Sequence, residues 1–307
     1  MAFEVFVLGT GGMMPLPGRA LTSVLVRREG ELFLFDCGEG TQVSLKKLNL
    51  RWKKISVILI SHTHADHVTG IPGMLMLTSQ VDRTEPLYII GPPKIKEYVE
   101  ANRSILDMYI NYKIVVKEVV AAGEVFAGNG YRITAFPLRH SKLCIGYSLE
   151  EESRPGVFFP DKAGEKGIPR GPLWSRLQAG ESITLENGRT VSPGEVMGPK
   201  RQGAKLSFVT DTLPVPEIPR YAAGSDLFIC EGMFAAELAQ SALEKKHLTA
   251  TQAASLAKQA GVKRLALIHY SPRYTDRDLK GLLKEARAVF AETYLTHDLQ
   301  SMWIPNP

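Results

Sequence analysis

The sequence predicts a layered α/β fold, and three observations carry that reading. Apolar runs of strand length recur along the chain, stretches with helical character lie between them, and Gly, Pro or Asp marks the junctions. With 307 residues, 44% hydrophobic and 22% charged, the chain can bury a large core, which excludes bulk disorder. No apolar run reaches the roughly 18 residues a membrane-spanning helix needs. The opening MAFEVFVLGTGGMM lacks the basic start and small-residue cleavage site of a signal peptide. Cys37, Cys144 and Cys230 are odd in number and far apart, which weighs against a disulfide framework and fits a reducing compartment. The expected setting is the cytoplasm, with no membrane partner.

In chain order, EVFVLG, TSVLVRR and ELFLFD predict the first strands, and KISVILIS the next. A helical-looking VTGIPGMLMLTSQ follows, then the strand PLYIIG and a helix around PPKIKEYVEANRSIL. YKIVVKEVV and GYRITAFPL predict further strands, and KLSFVTDT, SDLFICEG and KRLALIHY supply those of the last third. Two late helices are well signalled. Thr249 and Gln252 stand at capping-box spacing before an Ala-rich stretch that Gly261 is placed to stop. Asp276 is the expected N-cap of the other, whose stripe of Leu279, Leu282, Leu283, Ala286, Val289 and Phe290 predicts core.

The basic excess, 37 Lys and Arg against 32 Asp and Glu, gives a net charge of +5 and is compatible with a polyanionic partner. The run Lys46, Lys47, Arg51, Lys53 and Lys54 reads most simply as a solvated helix face. Residues 151–205 break the rhythm, with nine Gly, six Pro and nine Lys or Arg in 55 positions. An insertion of that length and composition is usually functional or a linker, and its apolar pieces VFF and GPLWSRL favour an ordered arm over a passive loop.

The chemistry concentrates in Ser61-His62-Thr63-His64-Ala65-Asp66-His67, directly after an apolar strand. Three imidazoles and a carboxylate at one strand exit are hard to explain as packing. In extended chain, positions 62 and 64 point the same way, and the following turn can carry Asp66 and His67 to a second site. Imidazole and carboxylate are zinc ligands. His140 after RITAFPL, Asp211 after LSFVT and His269 after RLALI offer further ligands at equivalent strand ends.

With its flanks, the H-x-H-x-D-H segment resembles the metallo-β-lactamase superfamily. LFDCGEGTQ from Asp36, His140 in LRHS, the GPLWSRL arm, Asp211 in VTDT, HLTATQAA from His247 and HYSPRY from His269 bring it closest to the ribonuclease Z family of tRNA 3′-processing endonucleases. The resemblance implies a four-layer αββα sandwich over 1–307, with 151–205 as an inserted substrate-binding arm. It implies two Zn²⁺ ions per subunit: His62, His64 and His140 on one, Asp66, His67 and His269 on the other, and Asp211 between them. Asp36 would orient a ligand histidine, with a helix N-cap before GEGTQ as its structural alternative. Cys37 reads as a small buried hydrophobe. The opening LGTGGMMPLPGRALTS, Thr210, and Lys245 and Lys246 depart from the family pattern, and none of these positions is a ligand.

The implied activity is removal of the 3′ trailer of precursor tRNA, by a homodimer. Asp66 would accept the nucleophile's proton and His247 would give one to the departing ribose 3′-oxygen. A position before a helix N-terminus disfavours imidazolium, so a nearby carboxylate is expected, and Glu231 in FICEGMF is the candidate. Two other readings use the same residues: hydrolysis of small phosphodiesters or esters, and a non-catalytic RNA-binding scaffold on a retired hydrolase fold.

Overall fold

A computed structural model describes residues 3–305. Its strands run β1 (Phe3–Gly9), β2 (Ser23–Arg28), β3 (Glu31–Phe35), β4 (Ile55–Leu59), β5 (Leu87–Gly91), β6 (Ile114–Glu118), β7 (Gly123–Gly128), β8 (Tyr131–Arg139) and β9 (Leu143–Glu151). The inserted segment holds the short β10 (Ile183–Thr184) and β11 (Thr190–Val191). Then come β12 (Lys205–Val209), β13 (Leu227–Glu231), β14 (Leu265–Ile268), β15 (Thr293–Leu295) and β16 (Ser301–Ile304). They form two seven-stranded sheets, ordered β16-β1-β2-β3-β4-β5-β6 and β15-β14-β13-β12-β9-β8-β7, while β10 and β11 pair with each other. In each sheet a parallel half, β3 to β6 or β12 to β15, joins an antiparallel half.

The layering follows from strands that are apolar on both faces. In β1, Phe3, Val5 and Val7 face the second sheet and share a core with Ile133, Tyr147, Phe208 and Ile229, whereas Phe6 and Leu8 face the other way. On that outer side they meet Leu45, Met74, Leu75, Ile95 and Val99 from the helices Thr41–Lys47, Ile71–Ser79 and Ile95–Ile105. The outer face of the second sheet packs on Glu217–Ala222, Ala250–Ala260 and Asp276–Val289. The result is helices, sheet, sheet, helices, the expected αββα sandwich.

The capping box at Thr249 and Gln252 forms, and Gly261 ends its helix in the left-handed conformation, φ 60°. The last helix starts one residue earlier than expected. Thr275 is its N-cap, in a capping box with Asp278, and Asp276 instead pairs with Arg19 at 2.8 Å. Leu279, Leu282 and Ala286 are buried, Leu283, Val289 and Phe290 partly so, and Phe290 lies just past the helix. The basic run is exposed but is not one helix face: Lys46 and Lys47 close one helix, and Lys53 and Lys54 lie in a separate 3₁₀ turn. All three cysteines are buried and free.

The chain divides into a body, residues 3–150 and 204–305, and a compact unit of residues 151–203. Within that unit the helices Pro160–Glu165 and Pro172–Gln178 and the β10–β11 pair enclose Ala163, Ile168, Leu177, Ile183, Val191 and Val196. Its two chain ends are pinned to each other: the Arg154 and Arg201 amides each donate to the other's carbonyl, at 2.8 and 2.9 Å.

Candidate active site

Six strand ends deliver the site, at the carboxyl edges where α/β sheets commonly bind ligands. Asp36 follows β3, the histidine segment follows β4, His140 follows β8, Asp211 lies beyond β12, Glu231 ends β13 and His269 follows β14. Asp36, Asp211 and His269 all have left-handed backbones, φ 53°, 46° and 61°. Such conformations are uncommon outside glycine, and they turn the chain sharply from strand into site. His64 precedes the one-turn helix Ala65–Val68, which carries Asp66 and His67.

The donor atoms converge as two sets. His62, His64, His140 and Asp211 form one, and Asp66, His67 and His269 the other, with the donors of each within 4.8 Å of one another. Asp211 divides between them. Its Oδ2 lies 3.6 Å from His62 Nε2 and 3.7 Å from His140 Nε2, whereas its Oδ1 lies 3.4 Å from His67 Nε2 and 3.1 Å from His269 Nε2. His67 Nε2 and Asp211 Oδ1 are buried without a hydrogen-bond partner. Buried polar atoms are rarely left so, and orphaned imidazole and carboxylate atoms facing each other fit a metal ion between them.

The outward nitrogens of four histidines are fixed, which assigns their tautomers through the network. His67 Nδ1 donates to Asp36 Oδ2 at 2.7 Å. His269 Nδ1 donates to Thr22 Oγ1 at 2.8 Å, because that hydroxyl already donates to the Gly11 carbonyl. His140 Nδ1 donates to the Lys246 carbonyl at 2.9 Å. Ser61 Oγ donates to Asp36 Oδ2 at 2.8 Å and lies 3.1 Å from His62 Nδ1, so one carboxylate braces two histidines. Asp36 does not cap the following helix, whose N-cap is Gly40 without a side-chain bond, since its oxygens are taken by Ser61 and His67. His64 differs by presenting Nδ1, 2.8 Å from His62 Nε2 and 3.3 Å from His140 Nε2.

His247 stands beside the ligand sets, its Nδ1 2.9 Å from Glu231 Oε2 and 3.8 Å from Asp211 Oδ2. Burial opposes a charge on this ring, but the Glu231 carboxylate outweighs burial and raises its pKa to about 9. Glu231 is buried, which raises its own pKa, while its Oε1 accepts the Thr212 amide at 2.7 Å. The expected carboxylate is therefore in place against the helix dipole.

Residues with no sequence signal complete the site. The Met13 amide, on a backbone with φ 71°, donates to Asp66 Oδ2 at 2.6 Å. A Cβ on Gly12 would stand 2.6 Å from His269 Nε2, so only glycine lets that loop pass. Thr22, Ser61 and the Lys246 carbonyl act through contacts that local patterns do not announce. A cleft of about 530 Å³ opens over the centre, with Met13, Phe234, Glu244, Lys245, Lys246 and Arg273 on its walls.

Over 298 residues, 97% of each chain, the protein is 60% identical to "Ribonuclease Z" of Treponema denticola. The chain belongs to the ribonuclease Z family. Ribonuclease Z of Borreliella burgdorferi is 44% identical over 97% of this chain and 96% of its own. Among solved structures, human short-form tRNase Z superposes with a TM-score of 0.72 at 25% identity, covering 98% of this chain and 99% of that one. The metallo-β-lactamase fold protein YhfI of Bacillus subtilis shares the fold, with a TM-score of 0.68 at 19% identity over 98% and 99% of the two chains. A family profile described as Anti-Pycsar protein Apyc1 also matches residues 3–150, a stretch that ends before Asp211, His247 and His269. As a member of that family, the chain is an enzyme, and its His/Asp clusters have the donors to hold metal ions. No helix among its described residues is long and apolar enough to cross a membrane.

Proposed function

We propose that this ribonuclease Z family member is a zinc-dependent endoribonuclease that removes the 3′ trailer of precursor tRNA and leaves a tRNA 3′-hydroxyl. The observation that carries the reading is Asp211, one oxygen toward each histidine set, with the His247–Glu231 pair at its side. His62, His64 and His140 are assigned to one Zn²⁺, Asp66, His67 and His269 to the second, and Asp211 to both. A metal pair supplies positive charge at the scissile phosphate and a water-derived nucleophile usable near neutral pH. Asp66 keeps a carboxylate oxygen for the nucleophile's proton. His247, held protonated by Glu231, gives a proton to the departing 3′-oxygen, which is otherwise a poor leaving group. Asp36, Ser61 and Thr22 keep ligand nitrogens aimed inward. The 151–205 arm is assigned to the tRNA body, through shape and phosphate contacts. The working form is taken to be a cytoplasmic homodimer.

A cleft of this size also admits a small phosphodiester. Turnover of a precursor tRNA transcript measured against bis(p-nitrophenyl) phosphate separates the two readings, with elemental analysis of the same preparation. The tRNA reading expects far higher kcat/KM on the transcript and two zinc ions per chain. Preference for the small substrate, or a protein active without bound metal, would overturn it.

A further inference from the structure

The rim of the cleft carries positive charge that the metal centre does not use. Lys245 and Arg273 are both exposed, come from either side of the His247 segment, and converge on one ring. Lys245 Nζ lies 6.0 Å and Arg273 Cζ 5.0 Å from the centre of the Phe234 ring. Neither cation forms an ion pair among the described residues, in contrast to Arg19 nearby, which pairs with Asp276. Arg273 Nε donates to Ser271 Oγ at 3.1 Å, which steadies the guanidinium and leaves its terminal nitrogens uncommitted. Phe234 itself is fully buried, and its backbone bonds Leu248 and Ala250 on the far side of His247. Its ring centre lies 6.0 Å from that of His247. Two like charges are thus gathered on one fixed platform beside the proton donor; Glu244, the carboxylate on the same wall, pairs with neither among the described residues and accepts from Gln240 Nε2 at 2.9 Å.

We propose that Lys245 and Arg273 form a subsite for a second phosphate of the RNA, the one on the 5′ side of the scissile bond. The inference rests on the function proposed above. If His247 protonates the departing 3′-oxygen, its side of the cleft holds the nucleotide that ends the mature tRNA. The next phosphate along the chain is that nucleotide's own 5′-phosphate, and the neighbouring cations are on that side. A phosphate suits the pair better than a neutral base edge, since the guanidinium offers a fork of N–H donors and the ammonium a point charge.

The test is a cycle between enzyme and substrate. A precursor tRNA ligated from synthetic pieces carries either a normal phosphodiester or a neutral methylphosphonate at the single position 5′ of the cut. For the wild-type enzyme the neutral linkage should raise KM roughly tenfold, the scale of one lost charge-assisted contact. Lys245→Gln should raise KM on the normal substrate severalfold and shrink the methylphosphonate effect, Lys245→Gln with Arg273→Gln should be nearly indifferent to the neutral linkage, and Lys245→Arg should restore the wild-type response. The salt dependence of KM for the normal substrate should flatten in Lys245→Gln by about 0.7 in the log–log slope. An unchanged methylphosphonate effect in Lys245→Gln, or none in the wild type, overturns the subsite while leaving the tRNA reading intact. Failure of the wild-type enzyme to cut the normal substrate overturns both.

Discussion

At the scale of single residues, the site depends as much on what is absent as on its ligands. Gly12 has no side chain because His269 Nε2 occupies the place where a Cβ would stand, 2.6 Å away. Gly12→Ala must therefore push the Met13 loop, the His269 ring or both, and a misplacement near 1 Å can cost on the order of 100-fold in rate. We expect a loss of that order with one metal bound less tightly and the thermal transition nearly unchanged, since the apolar layers lie elsewhere. Wild-type activity and metal content in Gly12→Ala would show that the loop yields without effect. His247→Ala isolates the proposed proton donor. It should slow RNA cleavage by roughly 10²–10⁴-fold but barely affect release of nitrophenolate, which leaves without a proton. Equal losses on the two substrates would mean that His247 positions the ligands instead.

At the scale of elements, the sheets carry the architecture and the loops after strands carry the chemistry. The strands named from apolar runs form where expected, because β1, β3, β4, β12, β13 and β14 are buried on both faces and read as continuous hydrophobic stretches. Missed were β7, with two glycines and an exposed face, β9, interrupted by Gly146 and Ser148, the two- and three-residue strands β10, β11 and β15, and β16, which pairs with β1 from the opposite end of the chain. Their pairing is tertiary, not local. The Thr249–Gln252 capping box was legible, but those at Thr275–Asp278 and Ser192–Glu195 were not, and Asp276, the expected cap, pairs with Arg19 instead. The unit of residues 151–203 has its own apolar cluster and ends joined at Arg154 and Arg201, so it can be excised cleanly. Replacing 155–200 with a short Gly/Ser linker should weaken precursor tRNA binding severely and flatten its salt dependence by about 0.7–0.9 in the log–log slope per lost phosphate contact. A binding titration across salt concentrations in which affinity and slope match the wild type would make this unit a passive loop.

At the scale of the whole molecule, the residues proposed as ligands were legible because each is an imidazole or carboxylate placed just after a strand-like run, and parallel strands bring such positions to one edge. Glu231 was legible by charge, since His247 needed a carboxylate against the helix dipole and finds it at 2.9 Å. The supports were not. Thr22 braces His269 across 247 positions of sequence, and the Lys246 carbonyl braces His140 across 106. A hydroxyl or a backbone oxygen at such separation leaves no pattern in the chain. The activity proposed for this assembly is cleavage of RNA at the mature 3′ end of tRNA. Its most direct test is to map both ends of the break made in an unprocessed tRNA transcript by the zinc-loaded enzyme, with Asp211→Ala as the control. The expected outcome is one cut at the junction of tRNA and trailer, a 3′-hydroxyl on the tRNA, a 5′-phosphate on the trailer, and no cut by the variant. An intact transcript, scattered breaks, or a 3′-phosphate on the tRNA would contradict it.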